Sequence, residues 1–138
     1  MAEPTVYPKT ASCICGGLAV TVTAPPQMVH ACSCLDCQRS TGSAFSYSGF
    51  FAEDAVTVSG EVRSYRRTTD AGRWQEMDFC PVCGGCVFYR LQVLPKIIGV
   101  SIGCFADPGF GKPEKLFWAS RRPHWFDVPA AVEPVETQ

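Results

Sequence analysis

Cysteine is the residue that most constrains this sequence, because eight of its nine cysteines fall in three short clusters. In chain order the clusters are Cys13 and Cys15; Cys32, Cys34 and Cys37; and Cys80, Cys83 and Cys86. An odd count excludes complete pairing within the chain, and the two members of a C-x-C pair are poorly placed for a disulfide to each other. In a reducing compartment, thiols at these spacings are typically metal ligands or catalytic groups. The pattern therefore predicts metal binding by thiolates.

The two outer clusters are predicted to close one structural zinc site. Cys80-Pro81-Val82-Cys83-Gly84 has the form of a zinc knuckle, in which a tight turn brings two sulfurs to one metal and glycine permits the backbone that follows. Tetrahedral zinc needs two more ligands, and Cys13 and Cys15 can supply them if their strand lies beside the one that ends at Phe79. We name Cys13, Cys15, Cys80 and Cys83 the four-cysteine site.

Three thiols remain in the central cluster, which we name the three-cysteine site: Cys32, Cys34 and Cys37. Three protein ligands with one open position are typical of reactive rather than structural zinc. With three thiolates the metal would carry a formal charge of about 2 − 3 = −1, which suits it less to activating water than to holding a sulfur or a carbonyl. Such an open site is also prone to lose zinc or to oxidise during isolation. Arg39, and after it Arg121 or Arg122, are candidates to bind a negatively charged thiol substrate.

Three other interpretations of these cysteines stay open. The central trio could take Cys86 as a fourth ligand, which would make a second closed site without a reactive metal. Cys34 and Cys37 could be a redox pair, although no thioredoxin-like βαβ pattern surrounds them. His30 could be a fourth ligand, although a surface or core role is simpler. Cys86, unless it is a ligand, and Cys104 are expected to be buried as small apolar side chains.

Composition restricts the remaining function classes. The 138 residues are 46% hydrophobic, and twelve basic against thirteen acidic side chains give a formal charge of −1. Balanced charge gives no reason to expect a nucleic-acid partner. Residues 1–10 lack the apolar run of a secretory signal, and no apolar stretch is long enough for a membrane span, so we expect a cytoplasmic protein with no membrane contact.

We predict a mainly β fold. Alternation and β-branched residues predict strands over 18–23, 27–31, 44–52, 56–58, 62–66, 73–79, 87–93 and 97–102. Segments 56–58 and 62–66 are expected to pair as a hairpin, and Pro95 is expected to separate the last two strands. No window shows a sustained helical period with caps, so no helix is predicted.

The expected organisation is one domain with two loose ends. Residues 1–12 are interpreted as an N-terminal arm, residues 13–128 as a single zinc-binding domain, and residues 129–138 as a frayed C-terminal tail. The aromatic clusters at 116–118 and 124–126 are expected to fold back over the core, because aromatic side chains this dense bury much area.

Several short motifs occur in a fixed order over residues 13–128. They are Cys13-x-Cys15-Gly16-Gly17, Cys32-x-Cys34-x-x-Cys37-x-Arg39, Thr41-Gly42-Ser43-Ala44-Phe45, Phe79-Cys80-Pro81-x-Cys83-Gly84, Gly103-x-Phe105-x-Asp107-Pro108 and Pro123-x-Trp125. Together they resemble the glutathione-dependent formaldehyde-activating enzymes, a family grouped with centromere protein V. Two positions depart from the pattern: Ser33 stands where members often have histidine, and Gly85 where they often have serine. Neither change removes a ligand.

The resemblance implies several short, coiled antiparallel β-sheets around zinc. It implies a structural zinc at the four-cysteine site and a catalytic zinc at the three-cysteine site. It also implies condensation of formaldehyde with glutathione, or a similar small thiol, to a product such as S-hydroxymethylglutathione, which is a carbon–sulfur lyase activity. The alternative is a non-catalytic zinc module that binds glutathione or a protein partner.

Overall fold

The computed structural model of the chain describes residues 6–137, and strands dominate this part, as predicted. In chain order the strands and the helix are β1 (Lys9–Ser12), β2 (Ala19–Val22), β3 (Met28–Cys32), α1 (Leu35–Thr41), β4 (Ser46–Ala52), β5 (Val56–Ser59), β6 (Arg63–Thr68), β7 (Trp74–Phe79), β8 (Cys86–Leu91), β9 (Leu94–Ser101), β10 (Lys115–Phe117) and β11 (Glu133–Val135). Short 3₁₀ turns add Glu53–Ala55, Ile102–Phe105 and Ala119–Arg121. None of the helices in the described part has the length and apolarity that crossing a bilayer requires.

The chain divides into two compact units. The first consists of the residues up to Gln27 together with Gly49–Phe110, and the second consists of Met28–Ser48 together with the residues from 111 onward. Strand β4 crosses from the second unit into the first, since the boundary follows Ser48. The four-cysteine site therefore belongs to the first unit and the three-cysteine site to the second.

In the first unit, β1, β2 and β5 form a three-stranded antiparallel sheet with β2 in the middle. Val20 and Val22 on β2 are fully buried, as the alternation in this segment predicts. Strand β1 lies within the segment that we interpreted as a loose arm, so residues 9–12 of that arm are ordered by pairing with β2.

The remaining strands of the first unit form an antiparallel ladder in which β6 pairs with β7, β7 with β8, and β8 with β9. The predicted hairpin between 56–58 and 62–66 is therefore wrong: β5 pairs with β2, where Val58 lies opposite Val20, and β6 pairs with β7. Burial of the β2 valines favours this distant pairing over the local one. Pro95 does not break a strand either, because it is the second residue of β9.

In the second unit, β10 pairs in parallel with both β3 and β11, so this unit departs from the expected antiparallel pairing. Its core is a cluster of four buried side chains: Ala31, Leu116, Ala119 and Val132. Phe45 and Phe126 stack against each other, with ring centroids 5.0 Å apart, and pack onto this cluster. Strand β11 corrects the prediction of a frayed tail, since Glu133–Val135 is held by β10.

Candidate metal centres

The structure brings the four cysteines of the four-cysteine site together, with their sulfur atoms all within 4.8 Å of one another. The Sγ atom of Cys15 lies 3.6 Å from the Sγ atoms of both Cys13 and Cys80. Tetrahedral zinc with bonds of about 2.3 Å places its sulfurs about 3.8 Å apart, whereas a disulfide needs about 2 Å. All four thiols are free. The spacing therefore fits zinc and does not fit disulfides.

Backbone amides surround these sulfurs. The N–H groups of Val82 and Cys83 point at the Cys80 sulfur over 3.4 and 3.5 Å, and Gly84 follows with a φ of +77°, as the predicted knuckle requires. The amides of Cys15 and Gly85 lower the pKa of the Cys83 thiol to about 6. An amide-stabilised thiolate is the form of cysteine that binds a metal.

The three-cysteine site is also assembled. The sulfur atoms of Cys32, Cys34 and Cys37 lie within 4.8 Å of one another, and the three residues are 5, 7 and 9% exposed. Hydrogen bonds shared with Cys34 and Cys37, together with burial, raise the pKa of the Cys32 thiol far above its ordinary range. Crowded, buried thiols resist ionisation on their own, and a bound dication reverses this. The donor set thus suits a thiophilic metal such as zinc.

The loop that carries these thiols is fixed by its backbone. Strand β3 ends at Cys32, which lies opposite Phe117 in the parallel register with β10. The Ser33 N–H donates to the Phe117 carbonyl over 2.9 Å, and its hydroxyl donates to the Ala44 carbonyl over 3.0 Å. Ser33 is fully buried, so these bonds are shielded from water. They hold Cys32 and Cys34 on either side of it.

Helix α1 completes the site and was not predicted. Its N-cap is Cys34, whose sulfur accepts from the Cys37 N–H over 3.3 Å, and its seven residues turn Cys37 inward. Seven residues are too few for a helical period to show, and cysteine is not among the usual N-cap residues. In chain order α1 lies between β3 and β4, and the redox-pair interpretation of Cys34 and Cys37 stays a prediction.

Aromatic side chains pack against the three thiols. They are Phe117 and Trp118, both partly buried. Trp118 has a φ of +53°, an uncommon conformation for a bulky residue, and the Arg121 guanidinium carbon lies 4.0 Å from the centroid of its ring. The sequence indicated that residues 116–118 cover the core, but gave no sign that Trp118 lies against the thiols.

The other candidate residues are placed as follows. Arg39 lies on the outer side of α1, 75% exposed, with its Nη1 3.0 Å from the Asp36 carboxylate. Arg122 donates to the carbonyls of Phe126 and Ala119 over 2.7 and 2.8 Å. His30 is half-buried with its ring edge-on to Phe117, and it does not join the three-cysteine group in the described part of the chain.

Cys86 and Cys104 lie together in the first unit, and both are half-buried rather than fully buried. The Cys104 thiol donates to the Cys86 carbonyl over 3.8 Å. Burial raises the pKa of the Cys86 thiol to about 11, which keeps it protonated at neutral pH. Neither is grouped with a candidate metal site among residues 6–137.

Comparisons with known proteins agree with this arrangement. The family model described as glutathione-dependent formaldehyde-activating enzyme matches residues 8–121. A crystal structure of a Rhodobacter sphaeroides protein is similar in fold, with a TM-score of 0.57 and 19% identity over 74% of this chain and 90% of that one. No curated protein matches the sequence. The match covers most of the sequence and includes both cysteine groups. The chain therefore belongs to the glutathione-dependent formaldehyde-activating enzyme family.

Proposed function

We propose that this protein joins formaldehyde to the thiol of glutathione, or of a similar small thiol, at the three-cysteine site. The activity would be that of a carbon–sulfur lyase resembling S-(hydroxymethyl)glutathione synthase. The observation that carries the proposal is a group of three buried thiols, with no fourth ligand grouped with them among residues 6–137, in a chain of this family. The four-cysteine site, with its complete ligand set, is assigned a structural zinc.

The chemistry needs no oxidant or reductant. A bond forms between the thiol sulfur and the carbonyl carbon, the π electrons of the carbonyl move to its oxygen, and that oxygen takes the proton that the sulfur loses. Zinc, when bound by Cys32, Cys34 and Cys37, would stabilise the substrate sulfur as a thiolate. Phe117 and Trp118 would exclude water from the thiols against which they pack.

Arg39 is a proposed contact for a carboxylate of the substrate. It lies two residues after Cys37 on α1, and its guanidinium already binds one carboxylate, that of Asp36. An exposed pair of this kind contributes roughly 0–1 kcal/mol to stability, so α1 does not depend on it. We propose the cytoplasm as the compartment, because nine cysteines outside any disulfide and thiolate metal sites are typical of reducing conditions.

Replacement of Cys34 by serine tests the proposal. Serine is a preferred N-cap, so Cys34→Ser should keep α1 while removing one sulfur from the site. We expect turnover of formaldehyde and glutathione, followed by NMR, to fall by at least about 100-fold, since even the loss of a group that only orients a ligand costs 10- to 100-fold. Cys104→Ser, outside both groups, is the matched control. Full turnover in a folded Cys34→Ser protein would contradict the mechanism.

A non-catalytic zinc module that binds glutathione or a protein partner is the second candidate. It is favoured by Ile14 and Val82, which lie between the ligands of the two cysteine pairs of the four-cysteine site and are 97 and 82% exposed. Apolar side chains this exposed at a turn can serve as contacts for a partner. Calorimetry with glutathione separates the two candidates: binding without turnover of any aldehyde adduct supports the module, and turnover supports the enzyme.

A further inference from the structure

Arg121 stacks on an aromatic side chain that packs against the three-cysteine site. Its guanidinium carbon is 4.0 Å from the centroid of the Trp118 ring, and that ring packs against the three thiols. Stacking uses the face of a guanidinium, while its N–H groups point outward in its plane, which is the geometry that matches a carboxylate. One aromatic ring thus connects the thiols to a positive charge.

The turn that carries this pair is tied to the thiol loop. The side-chain amide of Gln38 donates to the Ser33 carbonyl over 2.8 Å and to the Arg121 carbonyl over 2.9 Å. Ser33 lies between two of the cysteines, and the Arg121 N–H closes the turn onto the Trp118 carbonyl over 3.0 Å. Arg121 is therefore positioned relative to the thiols by a continuous set of hydrogen bonds.

The backbone of Trp118 is the second sign of function. A positive φ costs an ordinary residue about 1–2 kcal/mol, and such conformations persist where the surroundings impose them, often at ligand sites. Here the φ of +53° begins the 3₁₀ turn Ala119–Arg121 and directs the ring between the thiols and Arg121. The same turn already binds one carboxylate, because the Ser120 N–H donates to Glu136 over 3.1 Å.

Arg121 differs from the other two candidate cations in the side chain that it contacts. The Arg122 guanidinium donates to the backbone carbonyls of Phe126 and Ala119. Arg39 is 75% exposed and lies in an ion pair with Asp36 at the surface. Only Arg121, of these three, has a described contact with a side chain that packs against the thiols.

We propose that Arg121 is a specificity-determining residue that selects thiols carrying a carboxylate, with Trp118 and Gln38 as its positioning residues. This inference rests on the proposed function, since it presumes that a thiol enters the three-cysteine site. With zinc bound by the three cysteines and a thiolate substrate beside it, the site would carry a formal charge of about 2 − 4 = −2, and a cation on Trp118 would offset part of the charge that the substrate adds. Thiols without a carboxylate gain no affinity from the Arg121 cation.

The test compares glutathione with glutathione diethyl ester, whose two carboxylates are masked. Binding of each to the zinc-loaded protein under reducing conditions is measured by calorimetry for wild type, Arg121→Gln, Arg121→Lys and Arg66→Gln. Arg66 is the matched control, because it stacks on Trp74 at 3.9 Å but lies in the other unit of the chain. Circular dichroism and zinc content verify that each variant is folded and loaded.

We expect wild type to bind glutathione at least about 10-fold more tightly than the ester. Arg121→Gln should remove most of this preference by weakening the binding of glutathione, but not of the ester, about 10- to 100-fold. Arg121→Lys should retain part of the preference, and Arg66→Gln all of it. A wild-type protein that binds both ligands equally, or an Arg121→Gln protein that keeps the preference, overturns the inference and leaves the proposed function standing. A wild-type protein that binds neither thiol overturns the proposed function, and the inference with it.

Discussion

Gly60, between β5 and β6, is the glycine at which an added methyl group should destabilise the fold most. A Cβ atom built on it would lie 1.9 Å from the Gly17 carbonyl oxygen, although real Cβ contacts are essentially never under 3.0 Å. The backbone there would have to move by about 1 Å, since this is the difference between the two distances. Gly17 donates its N–H to the Cys15 sulfur over 3.4 Å, so the displacement would reach the four-cysteine site.

The free energy of unfolding should fall by about 2–5 kcal/mol in Gly60→Ala. A positive φ, here +103°, costs alanine about 1–2 kcal/mol, and overpacking adds about 1–3 kcal/mol. Gly72→Ala is the control: its φ is +81°, but nothing lies within 4 Å of the added atom, so only about 1–2 kcal/mol should be lost. Urea unfolding of the zinc-loaded proteins measures both. Equal losses in the two variants would refute the steric argument.

Two further predictions concern stability. Leu116→Ala should lower the free energy of unfolding, measured by urea titration, by about 2–5 kcal/mol, because Leu116 is 2% exposed in the core of the second unit. Val93 is 49% exposed, so Val93→Ala should change the same free energy by less than about 0.5 kcal/mol. The Lys9 ammonium and the Gly109 amide hold the pKa of Asp107 below its usual value of 3.8. The ionised Asp107 carboxylate therefore stabilises the fold above that pH, and this stabilisation is lost as the pH falls through the lowered pKa. The difference in urea midpoint between wild type and Asp107→Asn should shrink from about pH 7 to about pH 3, and a constant difference would contradict this.

The cysteine partition could be predicted because metal-binding turns are local. Each pair of ligands lies within three or four residues of sequence, so the C-x-C or C-x-x-C spacing by itself indicates that the two sulfurs can reach one metal. Joining Cys13 to Cys80 needed one more step, which came from counting ligands to four. The structure brings these residues together, whereas the metal that each group binds stays a prediction.

What the sequence could not show depends on distant partners. Helix α1 has only seven residues, two before Cys37 and four after it, and its stability comes from its surroundings rather than from periodicity. Strand β5 pairs with β2 because of burial that a local hairpin rule does not weigh. The stacking of Arg121 on Trp118 likewise requires a left-handed residue, which no residue type at that position indicates.

Zinc per chain is the most direct test of the account. Elemental analysis of protein purified under reducing conditions would compare wild type with a Cys32→Ser, Cys34→Ser, Cys37→Ser triple variant. The account predicts two zinc ions in wild type and one in the variant, with the fold retained, because the two groups of thiols are separate. One zinc in both proteins would contradict a metal at the three-cysteine site, and loss of all metal and of the fold in the variant would contradict the division of the ligands itself.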